Sequence, residues 1–136
     1  SITRKKDGVM TVALWCVLIA IFLPYVCTIV AKISGGFRLS DNHDPRDFLD
    51  SVNGVARRAH AAQLNSFEVM PAFAAAVIVA HLVGTAQLVT VNVLAVLFIT
   101  SRLLYIICYL ADWAILRSLV WFVGMGLIAS FFFVSV

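Results

Sequence analysis

Charge is what this sequence has least of. Lys, Arg, Asp and Glu make up 12% of its 136 residues and 62% are hydrophobic, whereas an ordinary soluble domain is nearer half apolar and a quarter charged. A small water-soluble fold leaves a large share of its area exposed, so a chain this apolar has lipid as its solvent. Paired cysteines are missing too. Cys16, Cys27 and Cys108 are odd in number, have no CxxC spacing and sit in apolar runs. That excludes a disulfide framework, a zinc site of cysteines and thiol-disulfide or quinone redox work; packing inside helices is their expected role. The first apolar run has no embedded acid, which counts against a small four-helix exporter. The net charge of +3 fits a loop bias and needs no nucleic-acid partner. There is no repeat or low-complexity segment, and the length allows one domain, residues 1–136.

What is there is a series of long uncharged runs. Gly8 to Ala31 carries no charge, enough to cross a hydrocarbon core that needs about 20 residues. It is too long for a signal-peptide core, and no small-residue cleavage site follows it. Pro24 is expected to bend this helix without ending it, and Lys32 with Gly35 and Gly36 closes it. In the polar stretch 33–52, Asp44 reads as an N-cap with Pro45 at the first helical position. Asp41, His43 and Asp44 lack the rest of a coordination shell, so no metal site is expected. Val69 to Ser101 holds no Lys, Arg, Asp or Glu and is too long for one span; Gly84-Thr85 is its natural break. Asp112 and Trp113 mark the next turn, and Ser118 to Val136 is again uncharged. The spacing predicts spans at about 9–32, 53–83, 87–111 and 115–136, an all-α integral membrane four-helix bundle.

Lys32, Arg38, Arg46, Arg57 and Arg58 lie in or beside the first loop and Arg117 beside the third, against Arg4, Lys5 and Lys6 on the other face. The positive-inside rule then puts loops 1 and 3 in the cytoplasm, with both termini outside. Trp15, Trp113 and Trp121 are read as belt or packing residues, His60 as part of a helix entrance and His81 as interfacial.

Polar groups within a span mark a function or a buried pair, and here they form stripes. Arg58, Asn65 and Glu68 are seven and three residues apart, on one helix face; Gln63 is off that line. Arg102, Tyr105 and Tyr109 share a face of the third span, and Arg117 opens the fourth at the same membrane end. Taken alone, Glu68 and Arg102 are expected to neutralise each other, with Asn65 and the tyrosines as interhelical hydrogen-bond partners. That does not account for Arg57, Arg58, Arg117 and two tyrosines at one end. Guanidinium, amide and phenol groups together suit a small anionic ligand.

The segment Ala62-Gln63-Leu64-Asn65-Ser66-Phe67-Glu68-Val69-Met70-Pro71-Ala72-Phe73 resembles the second-helix signature of the MAPEG family, membrane-associated proteins in eicosanoid and glutathione metabolism. Arg102-Leu103-Leu104-Tyr105-Ile106-Ile107-Cys108-Tyr109, followed by Arg117-Ser118, resembles the end of that family's third helix and the start of its fourth. Four spans in matching order extend the resemblance over nearly the whole chain. It implies a bacterial-type member in the inner membrane, a homotrimer binding glutathione as co-substrate between neighbouring subunits at the cytoplasmic end. It places Asn65 and Glu68 at the peptide and amine of glutathione, and Tyr105 and Tyr109 as the paired tyrosines. Gln63 falls where an adjacent subunit's ligand can be reached. Arg117, with Tyr109, takes the catalytic position, stabilising the thiolate. Arg58 and Arg102 complete the binding set.

One position departs from the pattern. Ala61 stands where the family has an arginine, four residues before Asn65; Arg58 is seven before it, about 10 Å along the axis. Arg57, Lys32 and Arg38 are further candidates for that role. Two functions follow from the resemblance: a glutathione transferase or peroxidase acting on hydrophobic electrophiles from the bilayer, or a non-catalytic protein that binds lipid in the same cleft. Retention of Arg117 and both tyrosines favours the first, Ala61 the second.

Overall fold

In lipid every backbone polar group has to be satisfied within its own segment, and the apolar runs of this chain do so as helices. The structure, a computed structural model, describes residues 8–136; Arg4, Lys5 and Lys6, used above for orientation, lie outside the described residues. Helix α1 covers Val12–Gly35. A 3-10 turn at Leu39–His43 and the short α2 (Pro45–Ser51) fill the first loop. Then come α3 (Gly54–Val83), α4 (Leu88–Leu110) and α5 (Ala114–Phe133). The helices α1, α3, α4 and α5 are each long and apolar enough to cross a membrane. Among the described residues there is no strand.

Local chemistry sets the ends. Thr11 caps α1, its Oγ1 accepting the Leu14 N–H at 3.2 Å. The helix runs past Lys32 because its stop is Gly36, whose φ of 74° is the left-handed conformation that glycine adopts without strain. The Lys32 ammonium bends back over the Phe37 ring, 4.5 Å from its centroid. Pro24 sits inside α1 without ending it. Asp44 caps α2 by accepting the Asp47 N–H at 3.1 Å, with Pro45 in the first turn. Asp41 accepts the Arg38 N–H at 2.7 Å. Both loop acids therefore act as caps. Gly84, with φ 72°, ends α3.

Small residues let α1 and α3 approach closely: Ala13, Cys16 and Ala20 on one side, Ala59, Ala62, Ala76 and Ala80 on the other, are all buried. Next to them Phe73 of α3 stacks on Phe98 of α4 at 4.2 Å, and Phe131 of α5 meets Phe73 edge-on at 6.0 Å. All three cysteines are buried and free. Helix α5 buries only Gly124 and Phe131, and Leu119, Phe122 and Val123 are exposed, as lipid permits.

Away from the loops, His81 ties α3 to α1. A carbonyl can only accept, so Nδ1 donates to Val77 O at 2.7 Å, which leaves Nε2 facing Thr11 Oγ1 at 2.8 Å. At the loop end the first loop folds back on α1. A Cβ at Gly35 would lie 2.8 Å from Val52 and 3.1 Å from Phe48. Gly35→Ala is therefore expected to lower stability by about 1–3 kcal/mol, as overpacking does, measured as the thermal midpoint in micelles. An unchanged midpoint would show that the loop yields freely.

Candidate functional site

The polar residues of three spans converge at the end of the bundle that carries loops 1 and 3. Its anchor is Arg102, only 3% exposed. One terminal nitrogen of its guanidinium donates to Asn65 Oδ1 at 2.8 Å and to Ser66 Oγ at 3.2 Å. Its carbon lies 4.2 Å from the Tyr105 ring centroid. A guanidinium has donors and no acceptor, so the carboxamide atom facing it has to be the oxygen. Asn65 is thereby held in one orientation, with its NH2 left to donate elsewhere.

A phenol ladder leads outward from this anchor. The Tyr105 and Tyr109 rings meet edge-on at 5.7 Å, and the Arg117 guanidinium lies over Tyr109 at 4.3 Å. Cation–π attraction of this kind holds a guanidinium without neutralising it. The single ion pair among the described residues is His60–Asp50, so no carboxylate is paired with Arg117. Asn65, Tyr105, Arg117, Ser118, Trp121 and Phe122 line an open cavity of about 240 Å³. Its walls offer amide, phenol and guanidinium donors, a serine oxygen whose hydrogen goes to Ala114 O at 3.2 Å, and no acid.

The turn before α5 aims Arg117. Trp113 N–H donates to Cys108 O at 2.8 Å and Asp112 N–H to Tyr109 O at 3.1 Å. This is a Schellman closure of α4, with Asp112 at φ 62° where glycine is usual; aspartate tolerates that conformation better than most residues. Asp112 thus serves the turn through its backbone. Arg58 reinforces the same end, donating from Nε and Nη2 to Leu110 O at 3.3 and 3.2 Å. Its fork satisfies one of the carbonyls left free at a helix C-terminus. Arg57 and Arg38 are exposed, and Ala61 is half-buried.

Two expectations change. Glu68 and Arg102 do not neutralise each other: Glu68 is exposed and Arg102 bonds to Asn65 and Ser66. Residues advance about 100° per step around a helix, so Arg102 lies between the directions of residues 65 and 66, while Glu68 points about 60° to the other side of Asn65. Trp121 is no mere belt residue but part of the cavity wall.

Gln63 lies on the opposite flank of α3. It lines a second cavity of about 280 Å³ with Arg46, Leu49, Asp50, His60, Leu64 and Phe67. There His60 Nε2 meets Asp50 Oδ1 at 3.3 Å, and Nδ1 meets the Gln63 carboxamide at 3.2 Å. The structure therefore joins Asn65, Tyr105 and Arg117 at one cavity with Tyr109 against Arg117, keeps Arg102 behind them and Arg58 at a helix end, and sets Gln63 at the second cavity; Glu68 is exposed one turn along α3 from Asn65.

Ser66, Ser118, Trp121 and Asp50 gain a place at these sites that the sequence analysis does not give them. Trp121 was legible, being four residues after Arg117 and so on the same helix face. Ser66 carries no such signal, since only the position of Arg102 makes it a partner.

No curated protein and no solved structure matches the chain. The model of the MAPEG family matches residues 12–136, which takes in all four spans and every residue of both cavities, and the chain therefore belongs to the MAPEG family.

Proposed function

We propose that this MAPEG protein is a membrane-bound glutathione-dependent transferase or peroxidase acting on hydrophobic electrophiles, assembled as a homotrimer. The observation that carries the reading is Arg117, a guanidinium paired with no carboxylate among the described residues and set over Tyr109 on the wall of a cavity with donors and no acid. Glutathione, with two carboxylates, suits such a wall. The Asn65 NH2 and the Tyr105 and Ser118 hydroxyls are placed to bind its polar groups. Arg117 supplies the electrostatics of the reaction. A free thiol with a pKa near 8.5 is mostly protonated at neutral pH, and a guanidinium beside the sulfur favours the anion.

Trp121 and Phe122 form the apolar part of the same wall, next to the exposed face of α5, where a lipid-soluble electrophile arrives sideways. The sulfur–carbon bond forms as the leaving group departs with its electron pair. With a hydroperoxide, sulfur attacks the terminal oxygen, the O–O bond breaks and the alkoxide takes a proton.

The trimer has its own support. Glu68 is exposed on a membrane-spanning helix, and a carboxylate facing hydrocarbon is costly; a second copy covering that face removes the cost. A neighbour there also lets Gln63 complete the other copy's cavity. Loops 1 and 3 then face the cytoplasm, in keeping with the proposed setting in a bacterial inner membrane.

A non-catalytic lipid-binding role is the second reading, favoured by Ala61 together with the engagement of Arg58 at Leu110. Calorimetric titration of the detergent-purified protein with reduced glutathione separates the two. Asn65→Asp keeps the acceptor that Arg102 needs but removes the donors that face the ligand. Saturable binding is expected, weakened by Asn65→Asp at least about tenfold, as for a lost hydrogen bond to a charged group. A folded protein that binds no glutathione would shift the assignment to lipid binding.

A further inference from the structure

The two carboxamides at this end of the bundle are held by different kinds of donor. Asn65 faces a guanidinium, which never loses its proton at ordinary pH. Gln63 faces an imidazole, and histidine is the side chain whose ordinary titration falls between pH 5 and 8. The Asp50 carboxylate accepts only, so His60 Nε2 carries a hydrogen toward it in either charge state. The remaining nitrogen, Nδ1, is 3.2 Å from Gln63 Oε1, the arrangement in which Nδ1 donates. When Nδ1 is bare, the NH2 of Gln63 donates to it and the carboxamide oxygen is turned to the cavity. When Nδ1 is protonated, it donates to that oxygen, and the NH2 is turned to the cavity instead.

We infer that Asp50, His60 and Gln63 form a proton-controlled relay that makes Gln63 an acceptor or a donor toward bound ligand, according to the charge on His60. This rests on the glutathione reading above, in which Gln63 completes the neighbouring copy's cavity. A carboxylate-bearing ligand needs donors, so binding draws a proton onto His60 and is tighter at low pH. The charged groups at this cavity are Arg46 and Asp50 from α2 and His60 from α3, with Arg57 one turn earlier on α3; α1, α4 and α5 add none to its lining. Asp50 touches the ring, and Arg46 lines the same cavity. The side chain of His60 is 15% exposed and that of Asp50 76%, so protons reach the relay from solvent. His60 is a positioning residue here, acting through Gln63.

The relay can be tested with and without ligand. The side-chain amide resonance of Gln63, identified by its loss in Gln63→Leu, is followed in the micellar protein from about pH 5.5 to 7.5, within the histidine range. A single transition is expected, absent in His60→Gln. A resonance that stays still, or moves equally in His60→Gln, overturns the relay. Over the same range glutathione affinity is expected to fall about three- to tenfold as pH rises, the worth of one reversed hydrogen bond, with proton uptake on binding. His60→Gln should flatten that profile. If glutathione binds with the same pH profile in His60→Gln as in the wild type, the link to the ligand is wrong. A Gln63 resonance that titrates in a protein blind to glutathione sinks the glutathione reading and leaves the relay standing.

Discussion

Arg117→Ala is expected to lower the turnover of glutathione conjugation by roughly 10²–10³-fold, the scale on which one preorganised charge or donor at a reacting atom acts. Affinity for reduced glutathione should change far less, because Asn65, Tyr105 and Ser118 still line the cavity. The physical reason is the isolation of that guanidinium. It rests on the face of Tyr109, and an aromatic face holds a cation while leaving its field directed at whatever lies in front of it. The check is twofold: steady-state conjugation of a hydrophobic electrophile, and the ultraviolet thiolate band of bound glutathione, which should fade in the variant. Unchanged turnover would remove Arg117 from the chemistry and leave it a wall residue.

The second large effect concerns stability, and a second substitution is expected to recover part of it. Asn65→Leu takes away the acceptor of a buried guanidinium, leaving it Ser66 as its remaining hydrogen-bond partner. Stranding a buried charge costs about 3–5 kcal/mol. Replacing both members of a buried hydrogen-bonded pair by apolar groups is far milder. The Asn65→Leu, Arg102→Leu double variant should therefore melt above the Asn65→Leu single variant, although one more polar group has been lost. Thermal midpoints in the same micelles measure this. A double variant that melts lower than the single one would mean that Arg102 is held mainly by Tyr105 and the surrounding packing. Neither variant is expected to bind glutathione well, since both lack the amide donors of Asn65.

Much of this arrangement is legible in one dimension. Arg102, Tyr105 and Tyr109 are spaced by three and four, and the structure does place them along one edge of α4, joined by ring contacts. Arg117 does project to the same end. The pairing across helices was not legible. Glu68 is the natural partner for Arg102 by charge, yet the rotation of α3 presents Asn65 and Ser66 instead. Arg58 has the right spacing for the ligand face, but its reach is long enough to find the free carbonyl of Leu110 first. In sequence His60 marks only a helix entrance, since its partner Asp50 lies ten residues earlier, before α3 begins.

The sequence by itself determined the solvent, the helical class, and the number and order of the spans. Each follows from a local quantity: the length of an uncharged run against the thickness of a bilayer, or a cap residue at its end. It also determined which residues share a helix face, because that is a matter of period. Only the tertiary structure decided which face meets which, and so that Arg102 holds Asn65, that Tyr109 carries Arg117 and that Asp50 meets His60. Those pairings join different helices and depend on the rotation of each about its own axis. Rotation is set by packing the small residues of α1 and α3 and the Phe73–Phe98–Phe131 layer together, and no single segment contains that information.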